Sequence, residues 1–412
     1  MSRKFPSTHT ATQLVWAGET DPPRDPHHAS QPPLYRTASF SHPDLDEWLA
    51  IAAGRKPGHN YTRNTNPTVQ VFEEKVRVVE GAEAATAFST GMAAVSGTLF
   101  ALLKPGDRVV SIRDSYGGTS RLFLEFLPRI GVHVTLCHTT DHAEIEAEIA
   151  KGCRLLYLET PTNPTLKVVD IKRLAKAGHK AGAIVVTDNT FATPVNCNPL
   201  ALGADLVVHS ATKYLGGHED AMGGVLCGKK DLVEEVFRYR EITGASLAPD
   251  AAYLLFRGMK TLALRVRQQN ASALAIATFL SKHPRVASVH YPGLPTDPGF
   301  EIARRQMRGF GGLLSFQLPG GLETVGPFLQ RLQFAQCAPS LGGVQTYVGP
   351  PATTSHVECT PAQRAKLGIP EGLLRYSVGI EETSDLIDDL RQALEAVRVT
   401  RGKRTVSRRR SK

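Results

Sequence analysis

The sequence predicts an α/β protein in which a mostly parallel sheet, covered by helices on both faces, is followed by a smaller C-terminal α+β domain. Three observations carry this. The runs RVVSI, CRLLYLE, AIVVTD and DLVVHS are short, apolar and rich in β-branched residues, as strands buried on both faces are. Helical stretches such as LKVVDIKRLAKAGHKAG lie between them, the alternation that builds parallel strands joined by crossovers. After LLFRGMKTL the order changes to a long helix, scattered strands and a final helix, which marks a second unit.

Residues 1–60 are rich in Pro, His and polar side chains with little periodicity, and they predict an extended arm that lies on a neighbouring subunit. From Pro67, PTVQVFEEKVRVVEG reads as a helix with Pro at its start and Gly after its end, and GMAAVSGTLFALLKPGD as another that closes in the same way. The strand–helix alternation fills 61–260. From 261, a helix through ALRVRQQNASALAIATFLSKHP, the segments RVASVHYPGL and GGLLSFQLPGG, and a helix near SDLIDDLRQALEAVR make up the smaller domain, to residue 397.

A chain of 412 residues is too long for one small core, in keeping with this division. Hydrophobic residues make up 42% and charged residues 21%, the balance of a globular protein and not of a fibrous or disordered one. The net charge of +9 is concentrated at the C-terminus, where Arg398 to Lys412 holds eight Lys or Arg and no acid; the remainder is near +1. The body therefore has no pull toward a polyanion, and a disordered basic tail at 398–412 gives only weak, salt-sensitive, sequence-blind association. A nucleic-acid-binding protein is the distant alternative.

Six cysteines lie far apart with no C-x-x-C pair, which fits a reducing compartment. The opening MSRKFPSTHTATQLVW has no apolar core of a signal peptide, and no apolar run reaches bilayer length, so a cytoplasmic protein with no membrane partner is expected. His356 and Glu358 match no standard metal spacing, and no metal is expected.

Ligands of open α/β sheets bind beyond the carboxyl ends of the strands. AIVVTD ends in Asp188, a carboxylate suited to pairing with a protonated ring nitrogen. DLVVHS leads into SATK, where the hydroxyls of Ser210 and Thr212 flank Lys213 and suit phosphate oxygens. FSTGMAAV enters a helix through Gly91, so the N–H groups of Gly91 and Met92 point from a helix N-terminus at an anion. Taken singly, each has a plainer reading: a solvated surface lysine, a turn-forming aspartate, a closely packed helix start. Together, a phosphate seat, a lysine and a strand-end aspartate describe pyridoxal 5′-phosphate (PLP) chemistry, in which a lysine with a lowered pKa exchanges Schiff bases and moves protons.

The strings YTRNTNPT, STGMAA, DSYGGT, ETPTNPTLKVVDI, DNTFATP, SATKYLGGH, YPGL, GFGG, SLGG and RYSVGIE occur in that order. With them the chain resembles the cystathionine γ-synthase and γ-lyase family, the PLP enzymes of Cys and Met metabolism, over nearly everything but the basic tail. The resemblance implies a PLP-dependent transferase fold of type I, like that of aspartate aminotransferase. It also implies a homotetramer built from dimers that share active sites.

Carried over residue by residue, it implies that Lys213 bears the cofactor and later moves protons, and that Asp188 pairs with the pyridine nitrogen. Tyr116 would stack on the ring and assist proton transfer, and Asn163 would bond the phenolic oxygen. Gly91, Met92, Ser210 and Thr212 would hold the phosphate, joined by Tyr61 and Arg63 of the partner subunit. Arg375 would bind the carboxylate of the amino-acid substrate with its planar fork. Ser340 would position the lysine and the substrate, and Asn163 and Tyr61 would also face the substrate.

The activity implied is γ-elimination or γ-replacement on sulfur amino acids or homoserine derivatives, of the cystathionine γ-lyase or γ-synthase type. Methionine γ-lyase and cystathionine β-lyase are the alternatives. Four positions depart from the pattern. Gly118 stands where members that cleave methionine often have Cys, which argues against a dedicated methionine γ-lyase. Pro339 stands where many γ-lyases have Glu, GGVQT replaces the more usual GGxES, and Glu219 replaces a small residue.

Overall fold

A computed structural model of the chain describes residues 8–19, 29–354, 357 and 360–396. Seven strands form the larger sheet: β1 (Ala84–Phe88), β2 (Arg108–Ile112), β3 (His133–Cys137), β4 (Leu155–Glu159), β5 (Ile184–Asp188), β6 (Leu206–Ser210) and β7 (Gly224–Gly228), in the order β1-β7-β6-β5-β4-β2-β3. Only β7 runs against its neighbours. Alternate residues of the central strands feed opposite faces. Val109, Tyr157, Val186 and Val208 pack on one side with Leu99 and Phe123; Val110, Leu156, Leu158 and Val185 pack on the other with Ile145 and Leu174. Each fully buried Val or Leu contributes roughly 1.5–3 kcal/mol, and this double burial fixes the register.

The smaller sheet comprises β8 (Ser288–His290), β9 (Leu313–Gln317), β10 (Gln336–Cys337), β11 (Tyr347–Gly349) and β12 (Leu373–Ser377), in the order β10-β11-β12-β9-β8. Phe316 and Tyr376 of this sheet share one apolar cluster with Val207, Val225 and the helix Leu262–Ser281. The two sheets are thus held by continuous packing, and the strand ends of β4–β6 look toward the loops of the smaller one.

Several elements differ in detail from the sequence reading. The helix Pro67–Glu80 does end at Gly81, in the left-handed region at φ 72°. The helix Gly91–Leu102 instead closes on Leu103 in extended conformation, with Pro105 and Gly106 making the following turn. In LKVVDIKRLAKAGHKAG the helix spans only Ile171–Lys180, because the Asp170 carboxylate caps it by accepting the Arg173 N–H at 3.0 Å. The first sixty residues are not wholly extended. Thr10–Trp16 is a helix whose Leu14 is fully buried against the chain's own core, and Lys75 Nζ donates to the Leu14 carbonyl at 2.9 Å. Leu45–Ala52 is a second helix, with no buried residue.

The tail 398–412 and the residues His356 and Glu358 lie outside the described residues. No described helix is long and apolar enough to cross a membrane.

Candidate active site

Segments at the strand ends of both sheets converge on a cavity of about 310 Å³. β5 delivers Asp188 to its floor. The Thr190 N–H donates to Asp188 Oδ1 at 2.9 Å and the Tyr157 hydroxyl to Oδ2 at 3.4 Å. Burial pushes this carboxyl up, opposed by the Thr190 donors and the charge of His209.

β6 ends at Ser210, and the turn after it carries Thr212 and Lys213 into the cavity. Lys213 Nζ lies 3.3 Å from Ser340 Oγ. Its pKa is lowered by burial, against the raising field of Glu219 and with the help of Arg375. Thr212 Oγ1 accepts the Gly223 N–H at 3.1 Å, which fixes its rotamer.

β1 leads into the helix Gly91–Leu102 through Thr90, whose Oγ1 accepts the Ala93 N–H at 3.0 Å. The N–H groups of Gly91 and Met92 occupy the first helical positions, where no intrahelical acceptor exists. A Cβ at Gly91 would stand 2.6 Å from Ser210 Cβ and 2.8 Å from its Oγ, so glycine is what lets this helix start abut the β6 turn.

On the opposite wall, Arg375 of β12 is 4% exposed. Its guanidinium donates to the carbonyls of Pro339 and Ser340, at 3.1 and 3.0 Å, and to Asn163 Oδ1 at 3.3 Å. Burial lowers its pKa to about 10, which leaves it charged at neutral pH. Tyr116 stands at the mouth, 43% exposed, with its backbone N–H donating to Glu159 Oε2 at 2.7 Å.

Residues 11–395 match the profile of the Cys/Met metabolism PLP-dependent enzymes. The chain belongs to that family. It is 44% identical over 367 residues to cystathionine gamma-synthase 1, chloroplastic, of Arabidopsis thaliana, covering 89% of this chain and 65% of that one. It is 42% identical over 397 residues to the L-methionine gamma-lyase of Pseudomonas putida, covering 96% and 99%. Among solved structures it resembles cystathionine gamma synthase from Xanthomonas oryzae pv. oryzae in complex with aminoacrylate and cysteine, with a TM-score of 0.89, 37% identity, and coverage of 95% and 98%. The chain is therefore a PLP-dependent enzyme with the fold of that family.

The cavity fits PLP on its own terms. A glycine-abutted helix start faces the Ser210 and Thr212 hydroxyls, a half-buried amine lies next to them, and a half-buried carboxylate ends the adjacent strand. These are the complements of a phosphate, an aldehyde and a ring nitrogen.

Of the residues singled out in the sequence, Gly91, Met92, Tyr116, Asn163, Asp188, Ser210, Thr212, Lys213 and Arg375 all line the cavity, and Ser340 touches Lys213. Tyr61 and Arg63 do not line it. Arg63 lies against the helix Lys230–Thr243, where Arg240 Nη2 donates to its carbonyl at 3.3 Å and Asn64 Nδ2 to Glu241 Oε2 at 2.6 Å, and the Arg63 guanidinium stands 5.5 Å from the centre of the Tyr61 ring. The sequence reading passed over Glu159, Thr190 and Phe191, which also line the cavity. Glu159 ends the run CRLLYLE, and the strand-end argument that singled out Asp188 applies to it equally.

Proposed function

We propose that this chain catalyses γ-elimination or γ-replacement on sulfur amino acids or homoserine derivatives, in the manner of a cystathionine γ-lyase or γ-synthase, with PLP carried on Lys213. The observation that supports this most is the 3.3 Å approach of the Lys213 amine to Ser340 in a cavity that Asp188 and Arg375 also line. When bound, PLP supplies an electron sink that makes the substrate Cα–H acidic. Everything else is done by the chain.

Arg375 takes the substrate carboxylate with two N–H groups in one plane and so orients the Cα–H. Lys213, with its pKa lowered by burial, is the base for that proton and then for a Cβ proton, which frees a γ-substituent to leave. The Ser340 hydroxyl holds the amine on the reacting side. Asp188 would pair with the ring nitrogen, Asn163 would bond the phenolic oxygen, and Gly91, Met92, Ser210 and Thr212 would hold the phosphate. Tyr116 would stack on the ring and assist proton transfer. Tyr61 and Arg63, off their own chain's cavity, reach a neighbour's phosphate, which makes the site a property of a dimer, two of which assemble as a tetramer in the cytoplasm.

Gly118 bears on the substrate. A Cβ there would meet Tyr116 Cε1 at 2.9 Å and Met92 Sδ at 2.8 Å, so the Cys found in many methionine-cleaving members would displace the ring or the thioether. The bare glycine favours cystathionine or an acylated homoserine over methionine. The test is product analysis on purified enzyme given cystathionine, methionine, or acylated homoserine with cysteine. Cysteine and 2-oxobutyrate from cystathionine support the lyase reading, and cystathionine from the acyl ester supports the synthase reading. Homocysteine and pyruvate mean β-cleavage and refute both.

A further inference from the structure

Glu159 and Asp188 end adjacent parallel strands, and the register sets one directly opposite the other. Neighbouring strands lie about 5 Å apart, and both carboxylates line the cavity. With Glu159 buried and Asp188 half-buried, two carboxylates so close disfavour each other's ionised form.

The donors around them differ in kind. Asp188 receives the Thr190 N–H and the Tyr157 hydroxyl. Glu159 receives two backbone donors, the Tyr116 N–H at 2.7 Å and the N–H of Asn163. The titratable groups that face Glu159 are Asp188 on β5, Tyr157 on its own strand, and Asp114 on the loop after β2. The neighbouring basic side chains have other partners, Lys167 pairing with Asp114 at 3.0 Å and His209 hydrogen-bonding to Glu80 at 2.7 Å.

We propose that Glu159 is a positioning residue that works as a neutral carboxylic acid, hanging Tyr116 from the end of β4 and leaving Asp188 the sole anion at the strand ends. Burial and the field of Asp188 both hold the Glu159 carboxyl well above the usual carboxylate range. Its C=O oxygen still accepts the Tyr116 N–H when the other oxygen carries a proton. Neutrality also keeps the negative charge on one group, so that the Asp188 charge is not shared between two strand ends. The inference rests on Asp188 and Tyr116 being the cofactor contacts proposed above.

The test compares wild type with Glu159→Gln and Glu159→Ala, on the protein as purified. Gln is a neutral mimic that keeps the acceptor for Tyr116. The infrared difference spectrum of wild type minus Glu159→Gln at neutral pH should show the carbonyl stretch of an un-ionised carboxylic acid. The PLP dissociation constant should change by less than about threefold in Glu159→Gln and rise by about tenfold or more in Glu159→Ala, where the anchor of Tyr116 is lost. A carboxylate stretch in place of the acid stretch, or a Gln variant as impaired as the Ala variant, overturns the proposal. Wild type that binds no PLP would instead defeat the functional reading, and the infrared result separates the two failures.

Discussion

Lys213 Nζ and Ser340 Oγ lie 3.3 Å apart, although 127 positions of chain separate them. The lysine comes from the turn after β6 and the serine from the loop between β10 and β11, so the contact exists only because the two sheets pack together. Ser340→Ala leaves the fold intact and frees the amine to sample other rotamers. It is expected to lower kcat by about tenfold with KM little altered, the signature of an interaction realised in the reacting state. Steady-state kinetics on the best substrate of the three above checks this.

Arg375 is buried with its fork held by Asn163 and by two carbonyls. Lysine in its place offers a point charge and no planar pair of donors. Arg375→Lys should raise KM for the amino-acid substrate by about a hundredfold, which is about 2.7 kcal/mol of charge-assisted hydrogen bonding. The PLP dissociation constant should stay unchanged, and titration of the cofactor separates the two effects.

Gly91 tolerates no side chain without a shift, since a Cβ would press on Ser210 Cα, Cβ and Oγ. Gly91→Ala therefore pushes the helix start away from the β6 turn and opens the anion seat. PLP affinity should fall by about tenfold or more, with unfolding by denaturant little changed. Competition by inorganic phosphate for the cofactor should weaken in the same variant.

How much of this was legible in the sequence depends on whether the signal was local. RVVSI, CRLLYLE, AIVVTD and DLVVHS became β2, β4, β5 and β6 because strands buried on both faces must be continuously apolar. β3, an edge strand of sequence HVTLC with a half-exposed burial pattern, carries no such signal. β7, GVLCG, hides behind its glycines, one of which packs where a Cβ would lie 2.1 Å from the Thr90 carbonyl. Asp188 and Lys213 are legible because each leaves a strand that its own apolar run marks. Glu159 ends a strand in the same way, so its place is equally legible, but its role is not, because its partner, the Tyr116 N–H, is 43 positions away. No local pattern marks the departure of Tyr61 and Arg63 from the chain's own cavity. It depends on Arg240, buried near Ala87, holding the Arg63 and Asn64 carbonyls.

A carboxyl beside that same arginine carries a pH dependence. Glu73 accepts the Ala87 N–H at 2.7 Å and lies 3.6 Å from Arg240, and burial raises its pKa from 4.5 to about 7 despite the arginine. The fold then keeps a proton that the unfolded chain has already released, so stability falls as pH rises from 4.5 to about 7 and the loss is complete above that. The whole effect is at most about 3 kcal/mol, since each pKa unit is worth 1.36 kcal/mol. Glu73→Gln, which keeps an acceptor for Ala87, should be more stable than wild type at pH 8 and lose most of that advantage at pH 5. Denaturant unfolding at the two pH values reads the difference.

Covalent attachment at one ε-amino group is the claim on which the mechanism turns. Borohydride reduction of the PLP-loaded protein, followed by peptide mass mapping, tests it directly. The account predicts a phosphopyridoxyl mass on the peptide that contains Lys213 and none in Lys213→Ala. A label on a different lysine, or a reduced protein with no label at all, would contradict it.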